Sequence, residues 1–157
     1  MIRESFLGLS LVASLYGAAH AAEKRTLESL ATIKGECSKL IVMGTDTKCD
    51  STITNQTWSD GRASFTFFGF GGKVVVTFSG LGRNQVKPDA DTAVQPIDNI
   101  ILTYPGSKPE GMHVVGTCRF TNPYAGKAPV ECRADSSEGP FRGVFVSDGE
   151  PPIMTKH

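Results

Sequence analysis

Cys118 and Cys132 are equidistant from Ala125, and Cys37 and Cys49 are equidistant from Met43. This symmetry narrows the fold more than any other feature of the chain, because residues facing each other across an antiparallel turn have positions that sum to a constant. Between 118 and 132 lie Asn122, Pro123 and Gly126. Each suits a turn for its own reason: a side chain that bonds its own backbone, a fixed φ, and freedom at positive φ. Gly44, Thr45 and Asp46 follow Met43. Facing Cα atoms on such strands are about 4.5–5.5 Å apart, within disulfide reach. Of the connectivities that four cysteines permit, local pairing is expected, Cys37–Cys49 and Cys118–Cys132. Buried free thiols are the bland alternative. Zinc is disfavoured, because no C-x-x-C knuckle is present.

The surrounding pattern agrees with hairpins. From Thr32 onward, runs of Val, Ile, Phe and Thr alternate with Gly, Pro, Asn and Asp, the mark of an antiparallel β protein. Strands are expected at 33–43, 47–57, 62–69, 73–79, 97–104, 112–121, 128–135 and 140–147. Period-two alternation puts Met112, Val114, Gly116, Cys118 and Phe120 on one face. Val130, Cys132 and Ala134 share a face, as do Phe141, Gly143 and Phe145. Phe65 and Phe67 line a third strand. Short consecutive turns favour a single-domain antiparallel up-and-down barrel of about eight strands, which leaves no exposed edge. A two-sheet sandwich is the runner-up. The Gly-x-Cys…Cys device occurs twice, a thin hint of two related halves. With eight Phe beyond the leader, and each aromatic burying ~150–250 Å², a packed interior is expected over a ligand cavity.

Residues 1–21 read as a secretory signal peptide. Arg3 supplies the positive start, Phe6 to Tyr16 the apolar run, and Ala19-His20-Ala21 a small-x-small cleavage site. That run is shorter than the ~20 apolar residues of a membrane span. Export to a periplasm or a secretory route is therefore expected, in keeping with disulfides. Residues 22–31 form an N-terminal segment in which Leu27 and Leu30, three apart, permit a short helix. Residues 32–148 are the β domain, and 149–157 a flexible, Pro-containing tail. Asn55-Gln56-Thr57 matches a glycosylation sequon.

Chemistry is sparsely signalled. Lys+Arg and Asp+Glu both number 16, so the basic stripe that nucleic acid requires is absent. Beyond the leader the histidines are His113 and His157. His113 alternates with inward residues and is expected to point outward. Neither G-x-S-x-G nor H-E-x-x-H occurs. The residues 80–96 form the longest irregular stretch, and long loops in compact domains are often functional. Within it Arg83, Asn84 and Gln85 present hydrogen-bonding groups suited to carboxylate, amide or sugar partners. Asp89-Ala90-Asp91 invites calcium but lacks the remaining ligands of a calcium loop. Trp58 and Tyr124 sit at turn tips, where aromatics anchor interfaces, although Trp58 is equally suited to plugging the barrel mouth.

These residues predict a monomeric, non-catalytic binding protein without cofactor or metal. It would engage a protein or envelope glycan through Arg83, Asn84, Gln85, Trp58 and Tyr124. A calycin-like carrier of a small apolar ligand is the first alternative, and a hydrolase with converging carboxylates the second.

Overall fold

The structure, a computed structural model, describes residues 24–156. The expected leader over 1–21 and His157 lie outside the described residues. Among those described there is no α-helix, only the 3-10 turn Gly82–Asn84. Ten strands make up the fold: β1 Leu27–Val42, β2 Thr45–Asp46, β3 Cys49–Trp58, β4 Arg62–Gly69, β5 Val74–Leu81, β6 Thr92–Thr103, β7 Glu110–Thr121, β8 Pro129–Ser136, β9 Gly139–Ser147 and β10 Ile153–Lys156.

From β3 to β9 each strand pairs antiparallel with the next. β9 then folds onto β1, from Gly35↔Ser147 to Ile41↔Arg142, and closes an eight-strand barrel. Barrel, not sandwich, is the outcome. β1 makes closure possible through its length: its first part pairs with β3, Leu27↔Trp58 to Lys34↔Thr52, and its second part with β9. Both disulfides form as the turn symmetry predicts. Cys118 and Cys132 face each other in a continuous ladder with Cα atoms 4.0 Å apart. The Cys37 and Cys49 Cα atoms are 5.9 Å apart, past the last β1–β3 pair. Met43 and Gly44 both take positive φ, 48° and 81°, the backbone of a tight hairpin turn whose twist matches its strands.

Three expectations are corrected. The segment 22–31 is not helical: β1 begins at Leu27. Two leucines three apart are too short a pattern to hold a helix against a sheet edge, and Ser29 instead bonds Thr57 through their hydroxyls at 2.6 Å. The tail is not free either. Ile153–Lys156 pairs with β1 over Ser29–Thr32, so Pro151 and Pro152 interrupt the sheet edge without ending it. Finally, the irregular stretch is shorter than 80–96: only 82–91 lie outside the strands. β5 runs to Leu81, β6 starts at Thr92, and Val86 and Val94 exchange both backbone hydrogen bonds at 2.8 Å. Pro96, the last residue of the expected irregular stretch, pairs with Thr117 on the β7 side, while β5–β6 pairing begins only at Ser79↔Asn99. Its missing N–H therefore costs no ladder bond on the β5 side.

The interior is packed. Phe67, Phe78, Phe141, Phe145, Leu40, Ile53 and Ile100 are fully buried. Phe67 meets Phe78 edge-on at 5.7 Å between centroids. The Phe67 ring also lies across the barrel on the backbone of Gly143, where a Cβ would fall 2.6 Å from it. The inward alternation read from β7, β8 and β9 holds throughout the core. On the outer wall, Gln56 links Thr54, Ser64 and Thr66 by side-chain hydrogen bonds. The β4–β5 turn, with Phe70, Gly71 and Gly72 all at positive φ, is held by Asp50, whose carboxylate accepts the amides of Gly71 (3.0 Å) and Gly72 (2.8 Å).

Candidate functional site

In an up-and-down barrel every second connection lies at the same end. The turn after β3, the loop after β5 and the turn after β7 are therefore neighbours, together with the start of β1 and the β9–β10 link. Trp58, Arg83, Asn84, Gln85 and Tyr124 come from these connections, so residues far apart in the chain share one end of the barrel. Backbone bonds tie the connections together. The Gly82 amide donates to the Gly61 carbonyl at 2.9 Å, and the Asn122 amide donates to the Asp91 carbonyl at 3.0 Å.

Their roles at that end diverge. Arg83 and Asn84 are exposed on the 3-10 turn. Gln85 is half-buried and turned inward: its amide donates to Gln95 Oε1 at 3.3 Å. Gln95 is fully buried and donates to the Ala63 carbonyl at 2.8 Å. Together these two amides cap the core, so Gln85 serves the scaffold. Trp58 does not plug the mouth. Alternation along β3 places it on the outer wall, with the Arg25 guanidinium 4.3 Å from its ring centroid, close enough for a cation–π contact. Arg25 also pairs with Asp60 at 3.8 Å.

Tyr124 is 60% exposed and forms the lip of an apolar cup of about 180 Å³ sunk into this end. Ala31, Ile33, Phe65, Phe120 and Met154 line it beneath the tyrosine. Phe65 and Phe120 make its floor, tilted against each other with centroids 4.8 Å apart. Sequence reasoning missed this cup because it needs β10 and the start of β1, the two elements read as tail and helix. A shallower depression runs alongside, bounded by Gln85, Lys87, Asp91 and Pro123, and shares Phe120 with the cup. Asn55 also faces the cup, and its amide donates to the Ser64 carbonyl at 3.1 Å. The asparagine of the sequon is thus half-buried and turned towards the cup.

Asp89 uses its carboxylate to fasten the loop. Its Oδ1 accepts the amides of Asp91 at 3.0 Å and Thr92 at 2.7 Å. Both bonds fall on one oxygen of the carboxylate and tie the loop to the start of β6. Hydrogen bonding from the Thr92 side chain, then from the Asp91 amide, holds its pKa below the ordinary 3.8, helped by the charge of Arg119. A depressed carboxylate contributes above its ordinary value and loses that contribution as pH falls through the lowered one. The expected result is an NMR titration of the Thr92 amide with its midpoint below 3.8, absent in Asp89→Asn. A midpoint at or above that value would mean the loop is not anchored in this way.

Among the described residues no group of three or more His, Cys, Asp or Glu side chains is placed to hold a metal ion, and no helix is long and apolar enough to cross a membrane. Arg62 and Asp98 form an ion pair on the outer wall, with Arg62 Nε also donating to Ser79 Oγ at 3.0 Å. No family model matches the chain, and searches of curated proteins and of solved structures return no significant match.

Proposed function

We propose that this is an exported, non-catalytic binding protein that takes an apolar side chain of a protein partner into the cup beneath Tyr124. Arg83 and Asn84 supply polar contacts on the same end. The observation that carries this reading is the contrast between the two spaces a barrel offers. The centre is occupied by Phe67, Phe78, Phe141 and Phe145, which leaves a carrier no chamber there. The end presents an open, apolar, aromatic-floored recess. A recess that accepts one anchor residue, ringed by polar groups, is the arrangement in which interface energy concentrates. Disulfides at both hairpins fit a scaffold working outside the reducing cytosol.

The test is photo-crosslinking from a reactive side chain placed at position 124, against envelope or secretome extract. A defined partner should crosslink there but not from position 70, exposed in the β4–β5 turn at the opposite end of the barrel. Tyr124→Ala should reduce capture of that partner about tenfold, and Arg83→Ala with Asn84→Ala should reduce it further, with melting unchanged. Equal crosslinking from both positions, or capture indifferent to these substitutions, would remove the end of the barrel from consideration.

A further inference from the structure

Arg119 on β7, Arg133 on β8 and Arg142 on β9 emerge side by side on the outer wall of the barrel. Alternation dictates this. Cys118, Cys132 and Ala134, Phe141 and Gly143 point inward, so the arginines between them point out, and all three are exposed. The registers then align them. Arg133 faces Arg142 directly across the β8–β9 ladder, while Arg119 faces Glu131 on β8. Among the described residues none of the three has a carboxylate partner within ion-pair distance, whereas Arg25 and Arg62 do.

Like charges directly opposite on neighbouring strands are destabilising. In a chain whose charges balance overall, this placement is a local concentration and not a consequence of composition. The three arginines edge a groove of about 510 Å³ that also includes Val94, Thr117 and Val144. A second depression of about 390 Å³ continues it past Arg133 and Arg142 to Val115, an 84% exposed valine, and Pro140. The other charged groups on this wall are Glu131, opposite Arg119, Asp135, opposite Val115, and Lys39, opposite Val144 on the β1 side. Glu131 and the field of Asp89 offset Arg119 in part. Arg133 has Glu131 and Asp135 two residues to either side on the same face of β8, each lining one of the two depressions. Neither comes within ion-pair distance of Arg133 or Arg142, which leaves the wall with an excess of cations.

We propose that this wall is a second binding site, for a polyanionic glycan carrying closely spaced sulfate, phosphate or carboxylate groups. Guanidinium forks match such oxyanions bidentately. Strands about 4.8 Å apart space the forks for successive anionic groups on one chain, and the half-buried Val94, Thr117 and Val144 lie under the sugar rings. An acidic peptide is the lesser fit. The groove crosses four strands, β6 to β9, whose backbone groups are already used within the barrel, so an extended peptide gains no strand pairing there.

Fluorescence anisotropy with a short sulfated oligosaccharide and a short uronate oligosaccharide tests this, with inorganic sulfate and polyglutamate as competitors. The purified chain should bind at least one oligosaccharide in a salt-sensitive manner. Arg133→Gln with Arg142→Gln should weaken that binding about a hundredfold, about tenfold per arginine. Arg83→Gln, at the barrel end, should leave it unchanged. The double variant should melt no lower than wild type, because it removes a like-charge pair, which keeps the binding result interpretable. Three outcomes would overturn the proposal: no oligosaccharide binding by wild type, equal binding by the double variant, or polyglutamate binding more tightly than either glycan. Since the end of the barrel is untouched by these substitutions, failure here leaves the cup reading standing, and the reverse also holds.

Discussion

Phe67→Ala should destabilise the barrel by about 3–5 kcal/mol, the usual cost of deleting a fully buried ring. The effect belongs at the upper end of what one substitution does, because Phe67 is fully buried and touches strands on both sides of the barrel. It meets Phe78 on β5 and lies on the backbone of β9 at Gly143. The second contact makes the prediction sharp. Gly143→Ala places a methyl 2.6 Å from the Phe67 ring, and the resulting overpacking should cost about 1–3 kcal/mol. In Phe67→Ala with Gly143→Ala the new methyl enters the space the ring vacates. The double variant should therefore be more stable than the sum of the single losses implies, by about 1 kcal/mol or more. Urea unfolding of the four proteins measures this directly. Strict additivity would mean that ring and glycine do not share that space.

The pairing of Phe67 with Gly143 marks the boundary of what the sequence can disclose. That both face inward follows from local alternation. That they meet follows from closure, which depends on the β1–β9 register and has no local signature. Local devices were legible wherever a turn set the register, as with Cys118 opposite Cys132 and Cys37 near Cys49. Legibility failed where non-local pairing overrode a local cue. Leu27 and Leu30 read as helix, Pro151 and Pro152 as a loose tail, and Pro96 as the end of a loop. In each case a strand elsewhere in the chain supplied the missing hydrogen bonds. The same holds for the sites. Up-and-down parity alone brings Trp58, Arg83 and Tyr124 to one end, but the cup beneath Tyr124 requires β10. The β7–β8 register places Arg119 against Glu131, yet Arg133 meets Arg142 only once the β8–β9 turn is fixed at Ser136↔Gly139.

Removing either disulfide by paired Cys→Ala substitution should cost about 3 kcal/mol, the chain-entropy value for loops of this length, and the two losses should differ in kind. Cys118–Cys132 sits inside an unbroken ladder, with Val115↔Asp135 on one side and Phe120↔Val130 on the other. Hydrogen bonds already hold those strands in register, so its loss lowers stability without opening any one place. Cys37–Cys49 stands past Lys34↔Thr52, where β1 leaves β3 to pair with β9. There the covalent bond is the tie between β1 and the start of β3, and β2 completes only Ile41↔Asp46 and Val42↔Thr45 on that edge. Without it the hairpin from Lys39 to Lys48 should open below the global unfolding free energy. Amide exchange should then accelerate there while β7 and β8 keep their protection. In Cys118→Ala with Cys132→Ala, exchange should instead rise together across the barrel core. If the Cys37→Ala, Cys49→Ala protein protects residues 39–48 as well as wild type does, the β1–β9 seam closes the barrel unaided. That bond would then only restrain the unfolded chain.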